Sequence, residues 1–376
     1  MRAIALAIVA CLLGTAAGQG RTEYDPGATF LMVWPGARST ALAGAMTALA
    51  DDAEAERYNP AGLAFQAGYN AQVTYANWLP SQWRNMFHIY GAASGQQVRL
   101  AGRPLNLGVN LQYFQLGQTD SGVGFPDYYC TRHGWRGAFG ATAATQLTGR
   151  LGIGLGLKVI TATSEDVDEG FEPPAPYIPE LGIDYDVTGT TVGADLGVLW
   201  RPLDALSFGT ALQNMGPELG STSGLPARLP RTWRLGMCWT PLDSRFLRLR
   251  VMPEVVGIVN WSTESWFSFG VEATALEVVT LRCAYLDDAN KSRGGLMLDG
   301  EYGEVWRYSL GDVLTQRGLG KLRQVGLCWG IGLNYKDYVR VDFSSDRLLY
   351  NYPTGNWKVT LAVPNAERVA GLFKKS

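Results

Sequence analysis

Groups able to do acid-base, nucleophilic or metal chemistry are sparse in this chain of 376 residues. It holds two histidines, His88 and His133. Neither has a serine and an acid at a recognisable spacing, and there is no G-x-S-x-G turn to present a nucleophile. The five cysteines are Cys11, Cys130, Cys238, Cys283 and Cys328. They form no C-x-x-C pair, no zinc spacing and no compact disulfide framework. All of these read as packing or surface residues, so no enzyme, metal or cofactor is expected. What remains is charge. Arg38, Asp51 and Asp52 lie near the N-terminus, and Asp195, Glu272, Arg282, Arg340 and Asp342 are spread through the rest of the chain. Opposite charges from distant segments can fix one segment against another as buried ion pairs, or they can line and gate a passage.

The elements that must position these charges alternate with period two, and their two faces differ in kind. In "LGIGLGLKV" Leu151, Ile153, Leu155, Leu157 and Val159 stand opposite Gly152, Gly154, Gly156 and Lys158. In "TTVGADLGVLWR" Val192, Ala194, Leu196, Val198 and Trp200 stand opposite Gly193, Asp195 and Gly197. "SFGVEAT" sets Phe267, Phe269 and Val271 against Ser268, Gly270 and Glu272. A soluble sandwich buries its apolar face and puts bulky charged residues outside. Here the second face is small or polar, which suits lipid on one side and a crowded polar interior on the other. Aromatics near strand ends, such as Trp200, Trp239, Tyr335 and Trp357, fit interfacial girdles.

Composition agrees. Glycine numbers 46, and charged residues make up 18%, against roughly 25% in soluble proteins. The net charge of −2 argues against a nucleic-acid partner, which needs clustered Lys and Arg. No mature stretch reaches the ~18 apolar residues of a spanning helix, so a membrane location requires a barrel. The opening "MRAIALAIVACLLGTAAGQG" has one Arg, an apolar core and small residues, the pattern of a cleaved signal peptide over residues 1–18.

Fourteen strands are expected: 70–79, 84–94, 104–117, 134–147, 150–163, 190–200, 205–214, 230–240, 246–260, 265–275, 278–286, 324–335, 338–345 and 355–363. Connections on one side are short (95–103, 148–149, 201–204, 241–245, 276–277 and 336–337), whereas 118–133, 164–189, 215–229 and 287–323 are long. Outer-membrane barrels have short periplasmic turns and long outer loops, so the parity orients the chain. The expected fold is an all-β, 14-stranded antiparallel transmembrane barrel over 70–363. It has a small helical plug or hatch segment at 19–69 and a periplasmic tail at 364–376. The segment 294–311 is kept inside an outer loop. Location in the outer membrane of a Gram-negative-type bacterium follows, with outer-membrane lipid as the surrounding partner.

The N-terminal segment departs from the rest. "ARSTALAGAMTALADDAEAERYNPAGLA" (Ala37 to Ala64) is expected to form a thin small-residue helix from Ser39 to Ala50, pass through Asp51 and Asp52, and stop at an Asn59-Pro60-Ala61-Gly62 turn. Pro60 ends helix propagation, and Asn59 can bond its own turn. Small side chains would let it approach a glycine-lined wall, where Arg38, Asp51 and Asp52 could pair with the wall charges.

The spacing of G-A-R (Gly36 to Arg38), A-x-x-G-A (Ala41 to Ala45, with Gly44), A-D-D (Ala50 to Asp52) and N-P-A-G-L (Asn59 to Leu63) resembles the opening signature of the PorV/PorQ family, within the wider FadL-like group of barrels. "GADLGVLWRPLDALSFGTALQNMGP" and "FSFGVEATALEVVTLRCAYL" are also similar to that family. The resemblance implies a non-enzymatic accessory of type IX-like protein secretion whose outer loops bind secretion components or exported cargo. Loops 164–189 and 287–323 are the candidate surface, the first with eight carboxylates and Phe171, Tyr177 and Tyr185 between them. The alternative it implies is a FadL-like passive transporter of long-chain fatty acids or other hydrophobic small molecules, with the N-terminal segment as hatch.

Overall fold

A computed structural model describes residues 28–77, 86–100, 102–116, 132–166, 188–220, 228–259, 266–288, 327–345 and 357–366. The signal segment, Cys130, the segment 294–311, most of the long outer loops and most of the C-terminal tail lie outside them.

Fourteen antiparallel strands close on themselves, each bonded to its sequence neighbours and β1 to β14. They are β1 (Asn70–Asn77), β2 (Phe87–Leu100), β3 (Arg103–Leu116), β4 (Arg132–Thr148), β5 (Leu151–Asp166), β6 (Gly189–Leu203), β7 (Leu206–Met215), β8 (Thr232–Asp243), β9 (Leu247–Ile258), β10 (Trp266–Ala275), β11 (Val279–Asp288), β12 (Leu327–Tyr335), β13 (Val339–Ser345) and β14 (Trp357–Val363). Each expected strand is present. The clearest displacement is the turn expected at 95–103: β2 and β3 run on to Leu100 and Arg103, leaving a two-residue turn. A β-bulge between Gln96 and Val98 is the reason, because an extra residue inverts the alternation beyond it. At the same end, the β10–β11 and β12–β13 turns place Leu276, Glu277, Lys336 and Asp337 at positive φ. That is the geometry whose twist matches a tight hairpin.

The outward face is apolar, with Leu111, Phe139, Leu157, Val192, Leu196 and Leu281 each about half or more exposed. In water such a belt would be an aggregation surface; in hydrocarbon it is the solvated side. At the outer rim, Trp357, Tyr75, Phe87, Tyr113 and Trp135 of five adjacent strands form a chain of ring contacts with centroids 5.8–6.1 Å apart. This is an interfacial girdle from β14 through β4. Trp200 stacks on Phe208 at 5.9 Å near the opposite rim.

Inside the barrel lies the N-terminal segment, which forms the core. It runs through a 3-10 turn (Thr29–Met32), α1 (Ala37–Ala41), α2 (Ala55–Tyr58) and a 3-10 helix (Pro60–Phe65). The long helix expected from Ser39 to Ala50 does not form. It stops at Leu42, after which Ala43, Gly44 and Ala50 take positive φ and the chain winds in turns. Gly44 has to be glycine there, since its φ is positive and a Cβ would collide with Trp34 Nε1. Asn59-Pro60-Ala61-Gly62 ends α2, with Asn59 extended as expected, and also begins a new helical turn: the Ala61 amide donates to Asn59 Oδ1 (3.1 Å), and Pro60 occupies the first position, where a missing N–H costs nothing.

Candidate functional site

The seam between plug and wall is where the polar groups converge, and glycine makes it possible. Side chains of β5, β6, β7, β8, β10 and β12 point alternately out and in, and on the inward face glycines meet the plug backbone. A Cβ at Gly154 would lie 2.5 Å from the Ala61 nitrogen, at Gly209 2.7 Å from the Thr47 carbonyl carbon, and at Gly330 2.6 Å from Ala41 Cβ. None could be tolerated without moving backbone. Facing them the plug presents mainly Ala, Ser and Thr, with Leu42, Met46, Leu49 and Tyr58 packing on Cys238 and Met252 of the wall. Cys238 and Cys328 are buried on this face, and Cys283 is exposed.

Eight charges form one network. Glu272 on β10 sits at its centre, accepting from Arg38 Nε (2.9 Å) and Nη2 (3.0 Å), Arg250 Nη1 (3.0 Å) and Arg282 Nε (2.7 Å). Arg38 Nη1 also reaches Asp51 (2.6 Å) and Asp52 (2.7 Å). Arg250 closes on Asp51 at 3.1 Å, and Arg340 closes on Asp52 at 3.1 Å. Asp342 accepts from Arg282 and Arg340, each at 2.7 Å. Four guanidiniums therefore balance four carboxylates. The plug's share (Arg38, Asp51, Asp52) has net charge −1, and the wall's share (Arg250, Glu272, Arg282, Arg340, Asp342) has net +1. Each part alone carries an uncompensated charge; docked, the network is neutral. Room for it comes from Gly332 of β12, where a Cβ would lie 2.8 Å from Arg282 Nη1.

The field of this network sets the plug's own ionisation. Burial alone would lower the Arg38 guanidinium and raise the Asp51 carboxyl, but the opposite charges outweigh it. Asp51, Glu272 and Asp52 raise Arg38, and Arg38 with Arg250 holds Asp51 down to about 2. Glu54 and Glu56 lack such partners. Burial with the nearby Asp52 charge pushes Glu54 up to about 7, and burial pushes Glu56 up to about 8. Glu54 accepts from the Gly36 amide (2.9 Å) and the Ser39 hydroxyl, and Asn110 donates to Glu56 at 3.0 Å.

Of the wall charges singled out from sequence, Glu272, Arg282, Arg340 and Asp342 share this network with Arg38, Asp51 and Asp52. Asp195 does not. It pairs with Lys158 of β5 at 2.8 Å and accepts from the Asn214 amide at 2.8 Å. Asn59 ties the plug elsewhere, donating to the carbonyls of Thr47 (2.9 Å) and Val198 on β6 (3.0 Å). Gly62 packs where a Cβ would lie 3.0 Å from Ala55 Cβ. Sequence reasoning missed Arg250, the Arg234–Glu254 pair that receives the Thr47 amide (2.9 Å) and hydroxyl (2.8 Å), and Lys358, which donates to Trp34 O and Thr40. The signal was available: in "LRLRVMPEVV" Arg250 and Glu254 share the parity opposite Leu249 and Val251. His88 is fully buried in β2, its ring 5.9 Å from that of Phe114.

No family model matches this chain, and no curated protein does. Among solved structures it is similar to a FadL homologue of Pseudomonas aeruginosa, at 10% identity over 87% of this chain and 97% of that one, with a TM-score of 0.51. It is also similar to the toluene transporter TodX of Pseudomonas putida, at 9% identity over 87% and 96%, with a TM-score of 0.50. Closed fourteen-strand topology, apolar belt and aromatic girdle define an outer-membrane β-barrel, and its fold is FadL-like. Nothing in these likenesses extends to PorV/PorQ or to secretion.

Proposed function

We propose that the protein is a passive outer-membrane channel for hydrophobic small molecules, with residues 28–66 as a plug that must shift for passage. The observation that carries this reading is the division of the lumen. A barrel serving only as scaffold can fill its interior with its own side chains. This one lines the interior with glycine where a separate segment presses, and holds that segment by hydrogen bonds and ion pairs. The fold likeness to a toluene transporter and a FadL homologue supports the same reading. The secretion reading rests on the N-terminal resemblance and on outer loops that lie mostly outside the described residues, and no observation favours it.

The test is a reversible lock. A Cβ built at Gly270 lies 3.5 Å from Ala45 Cβ, at the short end of disulfide range. The Ala45→Cys/Gly270→Cys double variant should therefore crosslink plug to β10 on oxidation. Cells expressing the reduced protein should take up labelled toluene or a long-chain fatty acid faster than cells lacking it, with oxidation abolishing the difference. Uptake no faster than in cells lacking the protein overturns the channel. Uptake unaffected by the crosslink overturns the moving plug.

A further inference from the structure

The eight-charge network is balanced, but one buried cation elsewhere on the plug is not. Arg57 of α2 is 9% exposed, and its guanidinium makes no ion pair or hydrogen bond with any described residue; its Nε is among the buried atoms lacking a partner. Its Cζ lies 5.9 Å from the centroid of the Tyr58 ring. Beside it, Glu56 Oε1 also lacks a partner. Both line a cavity of about 20 Å³ closed on the wall side by Asn110, Thr142, Lys158 and Asp195. Lys158 and Asp195 pair with each other at 2.8 Å, so neither is left to answer Arg57. A buried guanidinium without a counter-charge is strongly destabilising unless something answers it.

We propose that this cavity is the seat of a small monovalent anion, of halide size, held by the Arg57 guanidinium between plug and wall. The volume exceeds the ~10–15 Å³ that a single water requires, and a halide is of comparable size. Glu56 does not compete for the cation: burial pushes it up to about 8, so near neutral pH it carries a proton and can donate to the anion. The anion completes the electrostatics of docking, as an exchangeable counter-charge where the eight-charge network uses carboxylates.

The experiment uses the full-length protein in detergent micelles. Hydrogen exchange of the amides of residues 55–58 is followed as sodium chloride replaces sodium gluconate at constant ionic strength. Linkage predicts that, once the site is saturated, each tenfold rise in chloride raises protection of these amides up to tenfold, and that gluconate, too large for the cavity, has no such effect. Arg57→Met should abolish the chloride dependence and, in gluconate alone, protect the plug at least as well as Arg57 does. Equal responses to the two salts, or a chloride response kept by Arg57→Met, would overturn the proposal. Should the variant not fold, crystals of the unaltered protein grown in bromide decide: an anomalous peak at Arg57 supports the site, and its absence there leaves a water site only and sinks the idea.

Discussion

Replacing Glu272 with Gln is the sharpest perturbation of the plug, because it removes one charge and little volume. The carboxylate is 3% exposed and accepts four charge-assisted hydrogen bonds from Arg38, Arg250 and Arg282. After substitution, four guanidiniums face three carboxylates, and the amide can accept through one oxygen only. Breaking a buried pair by removing one partner costs roughly 3–5 kcal/mol, most of it the desolvation of the charge left behind. The strands keep their ladders, so the loss falls on plug docking, where it corresponds to about a hundredfold to a few thousandfold in the release equilibrium. Hydrogen exchange in detergent reads it directly: amides of residues 37–58 should lose that factor of protection, with those of β4 and β5 as internal reference. Adding Arg250→Gln restores the balance, so the double variant should be less destabilised than the sum of the single variants by ~1 kcal/mol or more. Plug protection unchanged within a factor of a few, or strictly additive costs, would refute the claim that this network holds the plug.

Acid and base should both loosen the plug, through different groups. Asp51 is held down to about 2, so its contribution is present above its ordinary value of 3.8 and is lost as the pH falls through about 2. Glu54 and Glu56 are raised to about 7 and 8, so theirs is present below the ordinary 4.5 and is lost as the pH climbs through 7 to 8. Plug protection should therefore peak near pH 4–5 and decline toward pH 8, and Glu56→Gln should flatten the alkaline limb; an unchanged alkaline limb in that variant would assign the decline elsewhere. Gly154→Val should displace the plug without unfolding the barrel, because the new side chain meets the backbone of Pro60 and Ala61 and has no other direction to take. Heat-modifiable migration on gels should persist while protease cuts within residues 37–66; a plug as resistant as before would mean that the wall, not the plug, yields.

The barrel was legible because two different solvents act on each strand. Lipid selects Leu155 and Leu157 on one side of β5, and the plug selects Gly152 and Gly154 on the other, so the period of two is written in residue type as well as in hydrophobicity. Where the backbone breaks that period, as at the Gln96 bulge, the reading slipped by the length of a turn. The plug's path was much less legible, for a physical reason. Alanine and glycine at Ala41 to Ala50 favour a helix only when nothing else competes for the backbone. Here the Thr47 amide is claimed by Glu254, the Gly44 carbonyl by Arg234, and the Ala43 and Ala48 carbonyls by Ser268 and Ser207, all from the wall. Each of those bonds draws on a backbone group that a continuous helix would bond within itself or leave at its end. The plug's conformation is thus encoded largely in residues some 160 to 225 positions away. Residues 28–66 cut from the barrel should accordingly not keep this winding course, since their small side chains bury too little apolar surface to hold any fold alone.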